Sequence, residues 1–302
     1  MWVEIKFGNL FCHVVEKAYF CTFTSQVPKL CLVDLRYTES EMESQIVTLT
    51  TDWGYKDFFQ GKVKGKLYSY IPGVRVVDIT HGIEPFQLSK AVFVAKNSCL
   101  DFPEGTIHII DVKSSQTVKN PFVVIRYKGQ YFITIDNGLP GALVGDGWEG
   151  VVIDKVMQEG SFFTFAASDL FCKVAALLAH GAALEELGFP LESLYRSTPF
   201  SPIVMGNKVT AYVCYIDAYG NADLNITYEE FERLRQGRKF RMTVRERTLD
   251  RIEPGYLDAV NNRFALILTV SSSGNLQIAM CENSAEQFFG LKVDFKVDIE
   301  FF

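Results

Sequence analysis

Apolar and polar positions change their period along the chain, and the changes divide it. From Ile46 onward, short β-branched runs alternate with longer stretches of helical spacing. Ile46–Thr51 predicts a strand, and Phe58–Ile71 predicts a helix that stops before Pro72-Gly73, because proline cannot continue a helical hydrogen-bond ladder. Val74–Ile79 reads as a buried strand ending at Thr80-His81, and Gln87–Cys99 as a helix. Thr106–Asp111 is a strand; Phe122–Tyr127 and Gln130–Ile135 form a hairpin about Lys128-Gly129. Asp169–His180 is an amphipathic helix closed by Gly181. Strand–helix alternation of this kind predicts an α/β domain with a mostly parallel sheet, here over residues 42–197.

Helical signals thin out from about Val204. Val209–Ile216, Arg241–Val244, Phe264–Val270, Leu276–Met280 and Val293–Phe301 read as strands, with turns at Tyr219-Gly220-Asn221 and Ser273-Gly274-Asn275. A small all-β domain, expected to be a barrel, therefore occupies residues 204–302, with Pro199, Ser201 and Pro202 in the linker. Residues 1–41 differ from both domains: they hold three of the seven cysteines and many aromatics, with no steady period, and Met42 stands just before the first clean strand. The expectation is that translation begins at Met42 and that residues 1–41 are a non-native or unstructured extension; the alternative is a real extension that packs on the surface.

Composition narrows the function. A net charge of −6 argues against a nucleic-acid face, and the densest basic run, Arg233-Leu-Arg-Gln-Gly-Arg-Lys239, reads as a solvated helix end and turn. The odd cysteine count and the lack of a CxxC pair point to a reducing compartment, so a cytoplasmic location is expected. His13, His81, His108 and His180 are scattered and offer no paired metal-ligand motif. No apolar run approaches the roughly 20 residues that a membrane span needs, and the opening MWVEIKFGNLFC is a poor signal peptide.

Three carboxylates share one context. Asp52 follows the strand Ile46–Thr51, Asp111 closes Thr106–Asp111, and Asp136 follows Gln130–Ile135. Each alone could cap a turn or a following helix, where aspartate is favoured. If their strands are neighbours in a parallel sheet, two or three of them line the carboxyl edge where such sheets bind ligands. A carboxylate cluster suits a metal, an acid/base pair or a polyol. No phosphate loop accompanies it, and a vicinal diol such as ribose fits better, since one ionised carboxylate can accept both hydroxyl protons. In the second domain, Tyr215-Ile-Asp-Ala-Tyr-Gly-Asn221 places an acid, an aromatic face and an amide in one tight turn, suited to an amine and a flat heterocycle, or equally to an ordinary hairpin.

The ordered set TLTTDWG (Thr48–Gly54), GKVKG (Gly61–Gly65), VVDITH (Val76–His81), FPEGTIH (Phe102–His108), DNGL (Asp136–Leu139), IDAYGN (Ile216–Asn221) and SSGNLQIA (Ser272–Ala279) resembles the S-adenosylmethionine hydroxide adenosyltransferase family, which also contains the adenosylmethionine-dependent chlorinases and fluorinases. The resemblance runs from Ile46 to the C-terminus. It implies an α/β N-terminal domain, a C-terminal β-barrel and a homotrimer with the ligand between the N-domain of one subunit and the C-domain of the next. It implies hydrolysis of S-adenosylmethionine to adenosine and L-methionine by attack of water or hydroxide at C5′, with no metal and no cofactor. On the same basis Asp52 would hold the ribose hydroxyls, Asp217 the methionine ammonium, Asn221 the adenine edge and Tyr219 an adenine face. Phe86 sits where the halogenases carry a stacking tryptophan, Ser272 and Ser273 lie where the methionine carboxylate is held, and the backbone at Glu282 would approach the adenine.

The match departs at the catalytic groups. The hydrolytic members rely on an Asp, an Arg and a His, the Asp opening a DPGVG-type loop. Asp111 is present, but its loop reads Val112-Lys-Ser-Ser-Gln-Thr-Val-Lys-Asn-Pro121. Anchoring on Pro121 puts Lys119 at the Arg position, whereas counting forward from Asp111 gives Val118; Lys119, which keeps a cation, is preferred, and Ala166 stands at the His position, with Ser161 and Ser168 as hydroxyls that could compensate. Ala167 fills the position of a halide-pocket serine, so a halide site is not expected. The leading expectation is hydrolysis by an altered site in which Asp111 and Lys119 position the water. The alternatives are a non-catalytic or weakly active S-adenosylmethionine- or adenosine-binding protein and, third, a halogenase.

Overall fold

A computed structural model describes residues 3–7, 10–15, 18–23, 44–156, 164–196, 201–256 and 264–302. The chain divides into two compact units, Met1–Ser44 and Gln45–Phe302. In the first, β1 (Val3–Phe7), β2 (Leu10–Val15) and β3 (Ala18–Phe23) pair as an antiparallel meander. Strands β1, β2 and β3 thus satisfy backbone groups by pairing with one another although their sequence mixes aromatic and polar residues without a steady period.

The larger unit begins with a seven-stranded sheet of β4 (Ile46–Thr51), β5 (Arg75–Thr80), β6 (Ile107–Asp111), β7 (Phe122–Tyr127), β8 (Gln130–Ile135), β9 (Glu149–Ile153) and β10 (Gly188–Pro190), in the order β10-β9-β7-β8-β6-β4-β5. The sheet is mixed. β5-β4-β6-β8 pair in parallel, and β8-β7-β9-β10 antiparallel. The reversal is local chemistry: Lys128 (φ 49°) and Gly129 (φ 73°) form a two-residue turn between β7 and β8 with both φ values positive, the geometry that matches hairpin twist.

Both faces of the sheet are covered by α1 (Phe59–Tyr70), α2 (Leu88–Lys96), α3 (Leu139–Leu143), α4 (Cys172–Ala179) and α5 (Leu184–Leu187). Alternation along the strands sorts the two cores. Ile107 and Ile109 join Val63 and Leu67 of α1 and Val174 of α4 on one face. Ile110 joins Ala91 and Ala95 of α2 and Leu139 of α3 on the other. Helix α1 buries only Val63 and Leu67, one turn apart, whereas β6 is buried along its whole length. At about 1.5–3 kcal/mol per large buried apolar side chain, the sheet rather than α1 fixes where the strand ends lie.

The second domain holds β11 (Ile203–Met205), β12 (Lys208–Ile216), β13 (Ala222–Thr227), α6 (Tyr228–Arg235), β14 (Phe240–Val244), β15 (Arg247–Leu249), β16 (Leu266–Val270), β17 (Asn275–Met280), α7 (Ala285–Phe289) and β18 (Lys296–Phe301). Its antiparallel sheet runs β15-β14-β18-β12-β13-β17-β16, with β11 added to β12. The end strands β15 and β16 approach each other, so the sheet is a nearly closed barrel. Helix α6 escapes the thinned helical signal. Thr227 caps it by accepting from the Glu230 N–H at 3.1 Å, acids fill its first turn, and Arg233 and Arg235 its last. The basic run is therefore the helix end and turn expected of it. The two domains meet where Phe93 of α2 stacks on Tyr215 of β12, with ring centroids 4.5 Å apart.

Candidate functional site: two cavities, one in each domain

The acids at the strand ends do converge. Thr51 of β4 lies opposite Asp111 of β6, so Asp52, one residue on, sits at the same carboxyl edge. A cavity of about 630 Å³ opens there, lined by Asp52, Phe86 and Asp111 together with Trp53, Lys113 and Phe165. Asp52 is half-buried; its Oδ2 accepts the backbone N–H of Phe86 at 3.0 Å and that of Lys113 at 3.2 Å. Among the described residues its Oδ1 has no partner. Both tethered residues have positive φ, 71° for Phe86 and 50° for Lys113, a conformation that bulky side chains rarely adopt. One carboxylate oxygen thus holds two loop residues of unusual backbone conformation at the cavity rim.

Asp111 is buried and accepts the Trp53 indole N–H on Oδ2 at 2.8 Å, while its Oδ1 has no hydrogen-bond partner. Burial pushes its carboxyl up to about 6, and the Asp52 charge adds to the rise. The Trp53 bond opposes it, as does the Ser114 hydroxyl, which lies nearby without bonding Oδ1. Trp53 is itself braced. It stacks on His81 at 5.7 Å and meets the edge of Phe165 at 5.0 Å. His81 is buried, with Nδ1 2.7 Å from Thr51 Oγ1 and Nε2 3.2 Å from Asp78 Oδ1. Burial holds His81 below its ordinary value against the pull of Asp78. His108, 2.7 Å from Thr48 Oγ1, is lowered by burial to about 4. Both are buried against the strands and bonded to threonines of β4.

Asp136 does not face this cavity. Its carboxylate accepts the Tyr195 N–H, and its neighbour Asn137 donates to the carbonyls of Val112 and Lys113 at 3.1 and 3.3 Å. This turn shapes the loop after Asp111. Lys119 is exposed, and among the described residues it makes no ion pair or hydrogen bond; Lys113 lines the cavity instead. Lys119, expected beside Asp111, does not line this cavity. The loop turns at Lys113 directly after β6, so the lysine nearest Asp111 in sequence reaches the cavity. Ala166 lines the cavity, Ser168 is buried and does not, and Ser161 lies outside the described residues.

A second cavity, of about 700 Å³, belongs to the barrel. It is lined by Asp217, Tyr219, Asn221, Ser272 and Glu282, all expected from the sequence, and by Tyr256, Ser271 and Gln277, which were not. Asp217 orders the turn after β12: Oδ1 accepts the N–H groups of Tyr219 and Asn221, and Oδ2 accepts the Asn221 amide, all at 2.9 Å. Among the described residues none bonds the buried Oδ1 of Asn221. Gly220 is obligatory here, with φ 80° and with a Cβ placed 2.0 Å from Ser284 Oγ. Tyr219 is 80% exposed. Ser273 does not line the cavity. Its hydroxyl lies 3.1 Å from Asn275 Oδ1, 2.7 Å from Ser271 Oγ and 3.5 Å from Asp223 Oδ1. Asp223 is buried, accepts the Gln277 amide at 3.1 Å, and is pushed up by burial. Gln277 in turn accepts the Tyr256 hydroxyl at 2.6 Å. The Asp223–Gln277–Tyr256 chain carried no sequence signal: an aspartate within ADLNIT looks like a solvent-facing strand residue until its partner strand is known. Among the described residues no three metal-ligating side chains converge, and no helix is long and apolar enough to cross a membrane.

Known proteins resemble the chain across both domains. The family model for the SAM hydroxide adenosyltransferase N-terminal domain matches residues 47–188, and that for the C-terminal domain matches residues 211–298. An (R)-S-adenosyl-L-methionine hydrolase from Methanocaldococcus jannaschii is 25% identical over 269 residues, covering 84% of this chain and 95% of its own. A fluorinase from Nocardia brasiliensis is 24% identical over 84% of this chain and 96% of its own. The crystal structure of an uncharacterized conserved protein from Thermotoga maritima superposes with a TM-score of 0.72 at 29% identity, covering 84% of this chain and 99% of the other.

Proposed function

The chain belongs to the SAM hydroxide adenosyltransferase family, and on that premise we propose that it hydrolyses S-adenosylmethionine to adenosine and L-methionine through an altered site. The observation that carries the reading is Asp111, a buried carboxyl raised to about 6 that lines a cavity beside Asp52 with one oxygen unpartnered. A base poised near neutral pH, with an open acceptor, suits proton removal from a water. Asp52 Oδ1 supplies the acceptor for the ribose hydroxyls. Trp53, Phe59, Phe122 and Phe165 wall the space, so a water held there is poorly hydrated and well placed for in-line attack.

The step balances without further groups. A lone pair on the water oxygen forms the C–O bond at C5′ as the C5′–S bond breaks. Its electrons return to sulfur, methionine leaves as a neutral thioether, and the water proton passes to Asp111. Because the sulfonium loses its charge on departure, the leaving group needs no acid.

The two cavities have no lining residue in common, although the ligand must span both. This supports a homotrimer in which the strand-end cavity of one subunit faces the barrel cavity of the next. Exposed Phe86 and Tyr219 at the two cavities would then be covered.

A second reading, a binding protein with little or no turnover, draws on Ala166 in the cavity wall and on the exposure of Lys119. Incubating the purified protein with S-adenosylmethionine, alongside Asp111→Asn, separates the two. Adenosine and methionine formed in step with enzyme and lost in the variant support hydrolysis. Bound but unchanged substrate supports the binder, and chlorinated adenosine in chloride buffer would replace both with a halogenase.

A further inference from the structure

His81 is not among the residues that line the strand-end cavity, yet most of its contacts are with the segment that builds it. Strands β4 and β5 pair in parallel with Leu49 opposite Asp78 and Thr50 opposite Thr80, so Ile79 is an extra residue in β5. A bulge of this kind turns the side chains beyond it to the other face of the sheet. Asp78 and His81, three apart, would point to opposite faces of a regular strand. Here His81 Nε2 lies 3.2 Å from Asp78 Oδ1, and Asp78 is in turn ion-paired with Lys64 of α1. The same turn sets Nδ1 2.7 Å from the Thr51 hydroxyl.

From that position His81 holds the residues that follow Asp52. Its ring stacks on Trp53 with an interplanar angle of 22° and meets the edge of Tyr55 at 5.6 Å. Its carbonyl accepts the Gly54 N–H at 2.9 Å, and its own N–H donates to the Tyr55 hydroxyl at 3.2 Å. Trp53 carries the consequence to the site, because its indole N–H donates to Asp111 Oδ2. An indole free to turn about its side-chain bonds would keep that donor on Asp111 only part of the time. Packed between His81 and Phe165, it has lost its rotamer freedom before substrate arrives.

We propose that His81 is a positioning residue of the hydrolytic reaction, acting through Trp53: the stacked imidazole keeps the indole N–H on Asp111. The proposal rests on the reading of Asp111 as the base. Burial holds His81 below its ordinary value, so the neutral ring is the form that stacks at neutral pH. Without the stack the indole bond loosens, and Asp111 loses a donor that favours its ionised form.

The test is steady-state hydrolysis of S-adenosylmethionine by the full chain between pH 5.5 and 8, with adenosine affinity by calorimetry. His81→Asn keeps a polar partner for Thr51 but no ring over Trp53. It should move the midpoint of the pH–rate profile upward, lowering kcat about fivefold at pH 6 and less than about twofold at pH 8. KM and adenosine affinity should stay within about twofold. His81→Phe keeps the ring and loses the polar atoms; its midpoint should match the parent, with kcat within about twofold. Once Trp53→Phe has removed the indole donor, His81→Asn should change kcat by less than about twofold. The opposite ranking of Asn and Phe, or an equal loss with and without the Trp53 donor, overturns the proposal and leaves His81 a prop of the fold. If His81→Asn does not fold, a moved midpoint in His81→Phe overturns it and an unmoved one supports it. A parent that is inactive, or that keeps turnover in Asp111→Asn, removes the base assignment and this proposal together. A parent that loses turnover in Asp111→Asn but keeps its midpoint in His81→Asn removes this proposal alone.

Discussion

Trp53 donates its indole N–H to Oδ2 of Asp111 at 2.8 Å, leaving Oδ1 as the unpartnered oxygen of a buried carboxyl. The bond ties the residue after Asp52 to the end of the neighbouring strand. It also favours the ionised form of Asp111 against a burial that favours the neutral one. Trp53→Phe keeps the aromatic wall and removes the donor. The Asp111 carboxyl, already raised to about 6, should rise further, so the midpoint of the pH–rate profile is expected to move upward, with kcat at pH 6 falling about tenfold and KM changing little. An unmoved midpoint would show that the bond has no part in setting the base.

Asp111 should cost stability at neutral pH. Its folded value of about 6 lies above the ordinary 3.8, so the folded chain keeps a proton that the unfolded chain releases. Stability is then full below about pH 4, declines as pH rises towards 6, and stays reduced above, by something on the order of 3 kcal/mol. Asp111→Asn should therefore raise the melting temperature at pH 7.5 but not at pH 4. Turnover should fall by roughly 10²–10⁴-fold. Thermal unfolding at the two pH values gives the comparison. A variant less stable than the parent at pH 7.5 would contradict the raised value.

Asp52 is predicted to anchor the ribose. Two charge-assisted bonds, each worth roughly 1.5–3 kcal/mol, would be lost in Asp52→Ala, together with the tethers of Phe86 and Lys113. Adenosine affinity measured by calorimetry should drop at least about 100-fold. Near-native binding would remove Asp52 from the site.

The two lysines of the loop after β6 should behave differently. Lys119 is exposed and lines neither cavity, so Lys119→Ala is expected to leave kcat/KM within about twofold. Lys113 lines the strand-end cavity, and Lys113→Ala should lower kcat/KM by about tenfold or more. The reverse ranking, in steady-state kinetics at low and high salt, would restore Lys119 to the site.

Local chemistry made much of this protein readable in advance. Short β-branched runs followed by aspartate predicted β4 and β6, and they made a common edge for Asp52 and Asp111 conditional on those strands being neighbours, which the parallel pairing of β4 with β6 supplies. The turn Asp217–Asn221 was legible because aspartate, glycine and asparagine each have a conformational reason to be there. Helix α6 was missed because its eight mostly polar residues include only one buried side chain, Phe231, so its signal lies in the Thr227 cap and the charge order rather than in an apolar stripe. Asp136 was grouped with the other acids because its strand-end context is the same, and only the Tyr195 backbone shows that its carboxylate is occupied.

The sequence by itself determined the strand–helix alternation of the first domain, the mainly β character of the second, the family and the acids that could serve a ribose. Those features depend on spacing and on preferences that act over a few residues. Tertiary structure decided which groups are raised, tethered or committed. It brought Trp53 onto Asp111 from the next strand, turned Lys113 rather than Lys119 towards the cavity, and buried Asp223 against Gln277 from another strand. Burial and charge act through space between residues far apart in the chain, so no reading of neighbours along the sequence could have assigned them.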